Sequence, residues 1–185
     1  MNLKHALLSP SSASRWIQCP PSARECEKIP NKSSSYSKEG SLAHKCCERL
    51  LINHDEGISW MESENISKEM REHAESYYSE VMSLKAELEQ RHGESAELGI
   101  EVSLAFDEWI PESFGTADAV LACGSELWVI DFKYGEGIPV QAVGNPQLRI
   151  YAAGALRKYD TEGKIRDIGL RIIQPRNKSL TDGMT

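Results

Sequence analysis

The hydrophobic pattern of this chain changes period once, near Gly93. Upstream, Ile66, Met70, Tyr77, Val81, Leu84 and Leu88 recur at steps of three, four or seven residues. That is one apolar stripe of a helix with about 3.6 residues per turn. Downstream, Leu98, Ile100, Val102, Leu104 and Phe106 alternate with Gly99, Glu101, Ser103 and Ala105. That is the pattern of a strand with one buried face. A chain that makes this switch folds by packing helices onto a sheet, which puts it in the mixed α/β class.

The same reading divides the rest of the chain. Residues 1–35 read as short helical pieces broken by Cys19-Pro20-Pro21 and Pro30, with Lys32-Ser33-Ser34-Ser35 as a loop. A helix over about 38–53 comes next. Leu42, Cys46 and Leu50 form its apolar face, and His44 and Glu48 lie one turn apart on another. The long helix spans about 66–92 and closes on Gly93 as its C-cap. Strands are predicted over 98–106, 116–123 and 127–134, with Gly124-Ser125 as the turn between the second and third. Asn145-Pro146 opens a helix to about Tyr159, because Asn suits the N-cap and Pro the first helical position. A last strand, 168–173, is ended by Pro175. The predicted organisation is a helical N-terminal part over 1–97 and a core over 98–185, joined in a single compact domain.

A chain of 185 residues suits one domain and buries roughly 70% of its unfolded surface. It therefore needs no disulfide framework. Its five cysteines are odd in number and contain no C-x-x-C, so they are expected to be reduced, inert or core thiols rather than zinc ligands. No apolar run approaches the ~20 residues of a membrane span. The first sixteen residues lack the apolar core of a secretory signal, so the expected location is cytoplasmic and no membrane partner is expected. The net charge of −7 argues at first against a nucleic acid. Split by region, that argument fails. Residues 51–112 carry sixteen Asp/Glu against four Lys/Arg, while 1–50 carry four against eight and 113–185 eight against nine. Steering of a polyanion depends on the local field, not on the total.

The second and third predicted strands hold the residues with chemistry. Asp118 lies in the second. Asp131 and Lys133 flank Phe132 in the third, and alternation points both to one face. Hairpin pairing can bring Asp118 beside Asp131. Two carboxylates and a main-chain oxygen form a hard site suited to Mg²⁺ or Mn²⁺. A lysine beside it can orient water and stabilise developing negative charge, which suits metal-assisted phosphodiester hydrolysis. The same triplet on an exposed sheet face would be only a surface ion pair, and these residues alone leave both readings open.

Gly115-Thr116-Ala117-Asp118, Ile130-Asp131-Phe132-Lys133 and Gln147-x-x-x-Tyr151 resemble the motifs of the PD-(D/E)XK nuclease superfamily. More narrowly, they resemble its RecB-like exonuclease branch, which includes phage-encoded members. Gly40-Ser41-Leu42-Ala43-His44, with Glu48 one turn on, is similar to the upstream helix motif of that branch. Ser12-Ala13-Ser14-Arg15-Trp16-Ile17-Gln18-Cys19-Pro20 resembles its opening segment. The resemblance covers roughly 9–175.

The resemblance implies a restriction-endonuclease-like core of one helix, three antiparallel strands, a helix and a strand. It implies His44, Asp118 and Asp131 as metal ligands with the main-chain oxygen of Phe132, and Lys133 as the residue that positions water. It implies that Gln147 and Tyr151 touch the substrate backbone or the lysine, while Arg149 and Arg157 contact phosphates. Glu101 is either an accessory acid or ordinary strand-face polarity. The implied activity is metal-dependent hydrolysis of DNA, as an exonuclease acting at ends in phage-type recombination or end processing. An endonuclease and a non-catalytic nucleic-acid-binding module are the alternatives. DNA is the implied partner, together with a homo-oligomer or a recombination protein. Some relatives hold an iron–sulfur cluster on four cysteines. No cysteine occurs after Cys123 here, so no cluster is expected. Some relatives also extend further, so the chain is open to being cut short at its C-terminus.

Overall fold

The structure is a computed structural model that describes residues 6–29, 34–177 and 181–184. The predicted break at Pro30 and the first half of the predicted loop, Lys32 and Ser33, lie outside these residues, while Ser34 caps the next helix and Ser35 begins it. A 3-10 turn (Pro10–Ser12) leads into two short helices, α1 (Ala13–Gln18) and α2 (Ser22–Glu27). Then come α3 (Ser35–Ile52), α4 (His54–Ser63), α5 (Lys68–His92) and, between strands, α6 (Pro146–Tyr159). Their ends obey local chemistry. The side chains of Ser34, Asn53, Ser67 and Asn145 accept main-chain N–H groups of Ser37, Glu56, Met70 and Leu148, donors that a helix start leaves without partners. Gly93 closes α5 at φ 70°, where a side chain would be strained.

The strands are β1 (Glu97–Ala105), β2 (Phe114–Cys123), β3 (Glu126–Phe132), β4 (Asp167–Ile173) and β5 (Thr181–Met184). They form one sheet in the order β1-β2-β3-β4-β5. The first three are an antiparallel meander, and β4 lies parallel to β3 after the α6 crossover. Such a crossover is what a parallel pair requires. β5 pairs antiparallel with β4, so 168–173 is not the last strand of the sheet. No described helix is long and apolar enough to cross a membrane.

Two apolar cores sandwich the sheet. On one face, Ala43, Cys46, Leu50, Met70, Tyr77 and Leu84 pack with Leu121, Trp128, Ile130 and Phe132. On the other, Leu148, Tyr151, Ala152 and Ala155 of α6 pack with Val102, Leu104, Phe106, Val120, Leu127 and Val129. The five cysteines are free, and Cys46, Cys47 and Cys123 are buried.

Three expectations are corrected. Leu42 is 38% exposed, and the apolar face of α3 is Ala43, Cys46, Cys47, Leu50 and Leu51. Residues 54–63, to which the sequence pattern assigns no element, form α4. Gly57 lets α4 press against α3, since a Cβ there would meet Leu50 N at 2.9 Å. Finally, β1 does not bury one face throughout. Leu98 and Ile100 pack with the α3–α5 core, while Val102, Leu104 and Phe106 belong to the α6 core. The switch occurs at Glu101, whose φ is +46°. A left-handed residue inside a strand rotates the residues after it onto the opposite face.

Candidate metal centre

The switch in β1 has a counterpart in β2. Ile100 pairs with Ala119 and Val102 with Ala117, but Glu101 and Asp118 between them leave the ladder. Ala119 packs in the α3–α5 core and Ala117 in the α6 core. Both strands thus turn over at the same level, and two carboxylate side chains leave the sheet there together. On the other flank of β2, pairing with β3 runs only to Ala119 and Ile130. Beyond it, Asp118 Oδ2 accepts the main-chain N–H of Phe132 at 2.7 Å.

His44 reaches this point from α3. Its Nδ1 lies 3.2 Å from Asp118 Oδ1, and its ring meets Phe132 edge-on, with centroids 5.4 Å apart. One ligand atom each from His44, Glu101 and Asp118 fall within 4.8 Å of one another. Donors about 2.1 Å from a shared Mn²⁺ or Mg²⁺ span at most about 4.2 Å, so a closure of a few tenths of an ångström gathers all three. His44 and Glu101, with Gly40, Ser41, Lys45 and Glu48, line an open cleft of about 790 Å³.

Asp131, Lys133 and Gln147 form a second group beside the first. Asp131 is 2% exposed. Gln147 Nε2 donates to Asp131 Oδ1 at 2.8 Å, and Gln147 Oε1 accepts from Lys133 Nζ at 3.1 Å. Lys133 Nζ is also 2.9 Å from Asp131 Oδ2. That oxygen is buried and makes no aligned hydrogen bond. Its buried charge is compensated by the Lys133 ammonium.

The electrostatics result from this crowding. Burial and the charge of Asp118 push Glu101 up to about 7. Burial pushes Asp131 up to about 6, with Lys133 pulling it down and Asp118 pushing it up. Burial lowers His44, but the hydrogen bond and charge of Asp118 outweigh it, and the imidazole ends above its ordinary value. Burial penalises the charge on both carboxylates, and the negative charge of Asp118 adds to that penalty. That is the condition a divalent cation relieves. The donor set, one imidazole and hard oxygens, fits Mn²⁺ or Mg²⁺.

The predicted residues therefore separate into groups. His44 and Asp118 come together with Glu101, which moves from the margin of the expected set to its centre. Asp131 is held by Lys133 and Gln147 rather than in that triad. Tyr151 is buried in the α6 core within hydrogen-bond reach of Gln147. Arg149 is exposed on α6. Arg157 pairs with Glu108 at 3.0 Å and covers Trp109, away from the cleft. Sequence reasoning missed Lys45 on the cleft wall, and it missed Tyr77, a buried hydroxyl without a hydrogen-bond partner whose ring meets Phe132 at 5.1 Å. Lys45 carried a signal, since it directly follows His44. Tyr77 carried none, because it reads as one more core position of α5.

A family model described as a protein of unknown function, DUF2800, matches residues 5–183. That span takes in every element from the 3-10 turn through β4, and the chain belongs to the DUF2800 family.

Proposed function

We propose that this chain is a divalent-metal-dependent deoxyribonuclease on a restriction-endonuclease-like core, an exonuclease that processes DNA ends. The observation that carries the proposal is the juxtaposition of the His44–Glu101–Asp118 triad with the buried Asp131–Lys133–Gln147 network. A metal-binding triad alone would suit many chemistries. A lysine fixed beside it by a buried aspartate and an amide is what hydrolysis of an anionic ester needs.

His44, Glu101 and Asp118 would hold the ion, and Asp131 Oδ2 is a further acceptor facing the same region of charge. A bound Mn²⁺ or Mg²⁺ supplies Lewis acidity to the phosphate and lowers the pKa of nearby water. Lys133 presents its ammonium to the charge that develops on the phosphoryl oxygens. Gln147 keeps that ammonium in place by accepting from it at 3.1 Å, so little reorganisation is needed when the ester reacts. Phe132 aims Asp118 through its main-chain N–H.

The test is cleavage of linear, closed circular and single-stranded DNA with Mn²⁺ or Mg²⁺, by wild type and by Lys133→Ala and Asp118→Ala. Loss of linear DNA from its ends in wild type alone is the expected result. Equal activity in wild type and variants sinks the proposal. Discrete fragments from closed circles replace the exonuclease with an endonuclease. DNA binding without Mn²⁺ binding by calorimetry replaces it with a non-catalytic module.

A further inference from the structure

The chain carries more acid than base, 28 Asp/Glu against 21 Lys/Arg, and it uses much of that base internally. Arg91 pairs with Glu126, Arg157 with Glu108, and Lys133 with Asp131. Arg176 reaches Glu39, Glu69 and Glu136. Two cations on α3 instead share one aromatic partner. Lys45 Nζ lies 5.1 Å and the Arg49 guanidinium 4.5 Å from the ring centroid of the same tryptophan, Trp60 of α4. Among the described residues, neither has a carboxylate at ion-pair distance. Two like charges brought onto one indole repel each other. The ring face compensates in part, by about 0.5–1 kcal/mol at each exposed contact. In an acid-rich protein, such a pair is positioned for an anion that arrives from outside.

Its place in the fold says which anion. Lys45 and Arg49 are one helical turn apart, so both point from the same face of α3. Among the described residues, Lys45 is the one Lys or Arg lining the cleft that holds His44 and Glu101. It also lines an adjoining groove of about 290 Å³ shared with Arg49, Glu48 and Glu56. Glu48 lines both the cleft and this groove, beside the two cations. The two cations therefore continue outward from the metal centre along α3. Resting on the proposed function above, we infer that Lys45 and Arg49, held over Trp60, form a phosphate track that guides the DNA backbone into the metal cleft. Charge complementarity with successive phosphates is the recognition, and no base is read.

The experiment measures binding of fluorescein-labelled DNA, single-stranded and duplex, by anisotropy in EDTA over a range of salt. Lys45→Ala/Arg49→Ala is compared with wild type and with Lys158→Ala, an exposed cation on the last turn of α6. The double variant is expected to bind about ten- to a hundred-fold more weakly at low salt. Its slope of log affinity against log salt is expected to fall by about 2, one for each phosphate that is no longer neutralised. Lys158→Ala should leave both unchanged, and Mn²⁺ affinity by calorimetry should be the same in all three. An unchanged slope in the double variant overturns the track alone, as does an equal loss in Lys158→Ala. Variant-sensitive binding without cleavage keeps the track and sinks the nuclease. No DNA binding by wild type, in EDTA or Mn²⁺, overturns both.

Discussion

Asp118 Oδ2 accepts the Phe132 main-chain N–H at 2.7 Å, so the carboxylate of one strand is aimed by the backbone of the next. Its other oxygen is left to His44, at 3.2 Å. Asp118→Asn keeps an oxygen for the Phe132 N–H and removes the charge. Cleavage is expected to fall by about a hundred-fold or more, the scale of losing one electrostatic group from a preorganised site. Mn²⁺ binding by calorimetry should be lost. The metal-free variant loses the Asp118–His44 pair but relieves the charge that raises Glu101 and Asp131, so its melting temperature at pH 7 should lie close to that of wild type. Undiminished Mn²⁺ affinity would remove Asp118 from the site.

The metal-free protein should lose stability as pH rises through neutrality. Glu101 sits at about 7 and Asp131 at about 6, against ordinary values of 4.5 and 3.8, and His44 is also raised. For each group the folded chain binds the proton more tightly than the unfolded chain. The resulting stabilisation is complete below the unfolded value and is lost as pH climbs through the folded one. The melting temperature in EDTA should therefore fall between about pH 5 and pH 8, by roughly 2–4 °C per kcal/mol in a chain of this size. Saturating Mn²⁺ binds the deprotonated groups and should reverse the trend. A melting temperature in EDTA that climbs steadily across that window contradicts the assignment.

Gln147 is the neutral member of the charged network, donating to Asp131 and accepting from Lys133. Gln147→Ala leaves a buried carboxylate oxygen without its donor, at a cost of about 1–3 kcal/mol. It also frees Lys133, and turnover should fall by about ten- to a hundred-fold. Gln147→Glu preserves shape but sets another carboxylate against Asp131. Its pH–rate profile should move to higher pH than that of wild type. Superimposable profiles would show that Gln147 packs without tuning the site.

Much of this arrangement was legible in the sequence. Alternation in Trp128-Val129-Ile130-Asp131-Phe132-Lys133 put Asp131 and Lys133 on one face, and the structure has them there. The α5 stripe from Met70 to Leu88 and its Gly93 cap also result from period and propensity. What could not be read was the fate of Glu101. Alternation counts residues, and one left-handed residue reverses its parity without changing the letters. The same event separates Ile100 from Val102 and brings Glu101 to Asp118. Helix α4 was hidden for a different reason, since the close approach of Gly57 to Leu50 of α3 is a tertiary contact that no local pattern shows. Its signals were the Asn53 cap and the acids Asp55 and Glu56 in the first turn.

A cluster remote from the cleft provides a control for stability. Glu126, 5% exposed at the start of β3, accepts from Arg91 at 2.5 Å and from Trp128 Nε1 at 3.1 Å, and it lies 3.0 Å from His92 Nε2. It ties the end of α5 to the sheet. Glu126→Ala strands the indole N–H, the Arg91 guanidinium and the His92 ring nitrogen. Arg91 is half exposed and can turn to water, so the cost should be about 1–3 kcal/mol, below that of a fully buried pair. Chemical denaturation should show that loss with Mn²⁺ affinity unchanged. A fall in metal affinity would mean that the sheet transmits the disturbance to the site.

The last prediction concerns the strain at Glu101. A non-glycine residue at φ +46° costs about 1–2 kcal/mol relative to its preferred regions. Glycine adopts that conformation freely but loses more chain entropy on folding, by about 0.5–1 kcal/mol. Glu101→Gly also removes a carboxylate that burial and Asp118 hold at about 7. The metal-free variant should therefore melt above wild type at neutral pH, while its Mn²⁺ affinity collapses. Glu101→Gln removes the charge but keeps the side chain at the strained position. It should lose metal as badly and gain less stability than the glycine variant. The difference between the two melting temperatures in EDTA then reports the strain relieved net of the glycine entropy and the lost side-chain packing, and the shared loss of Mn²⁺ reports the ligand. Equal melting temperatures would mean that any strain relieved at this position is no larger than the entropy that glycine adds. Retained Mn²⁺ binding in either variant would mean that Glu101 faces the cluster without ligating.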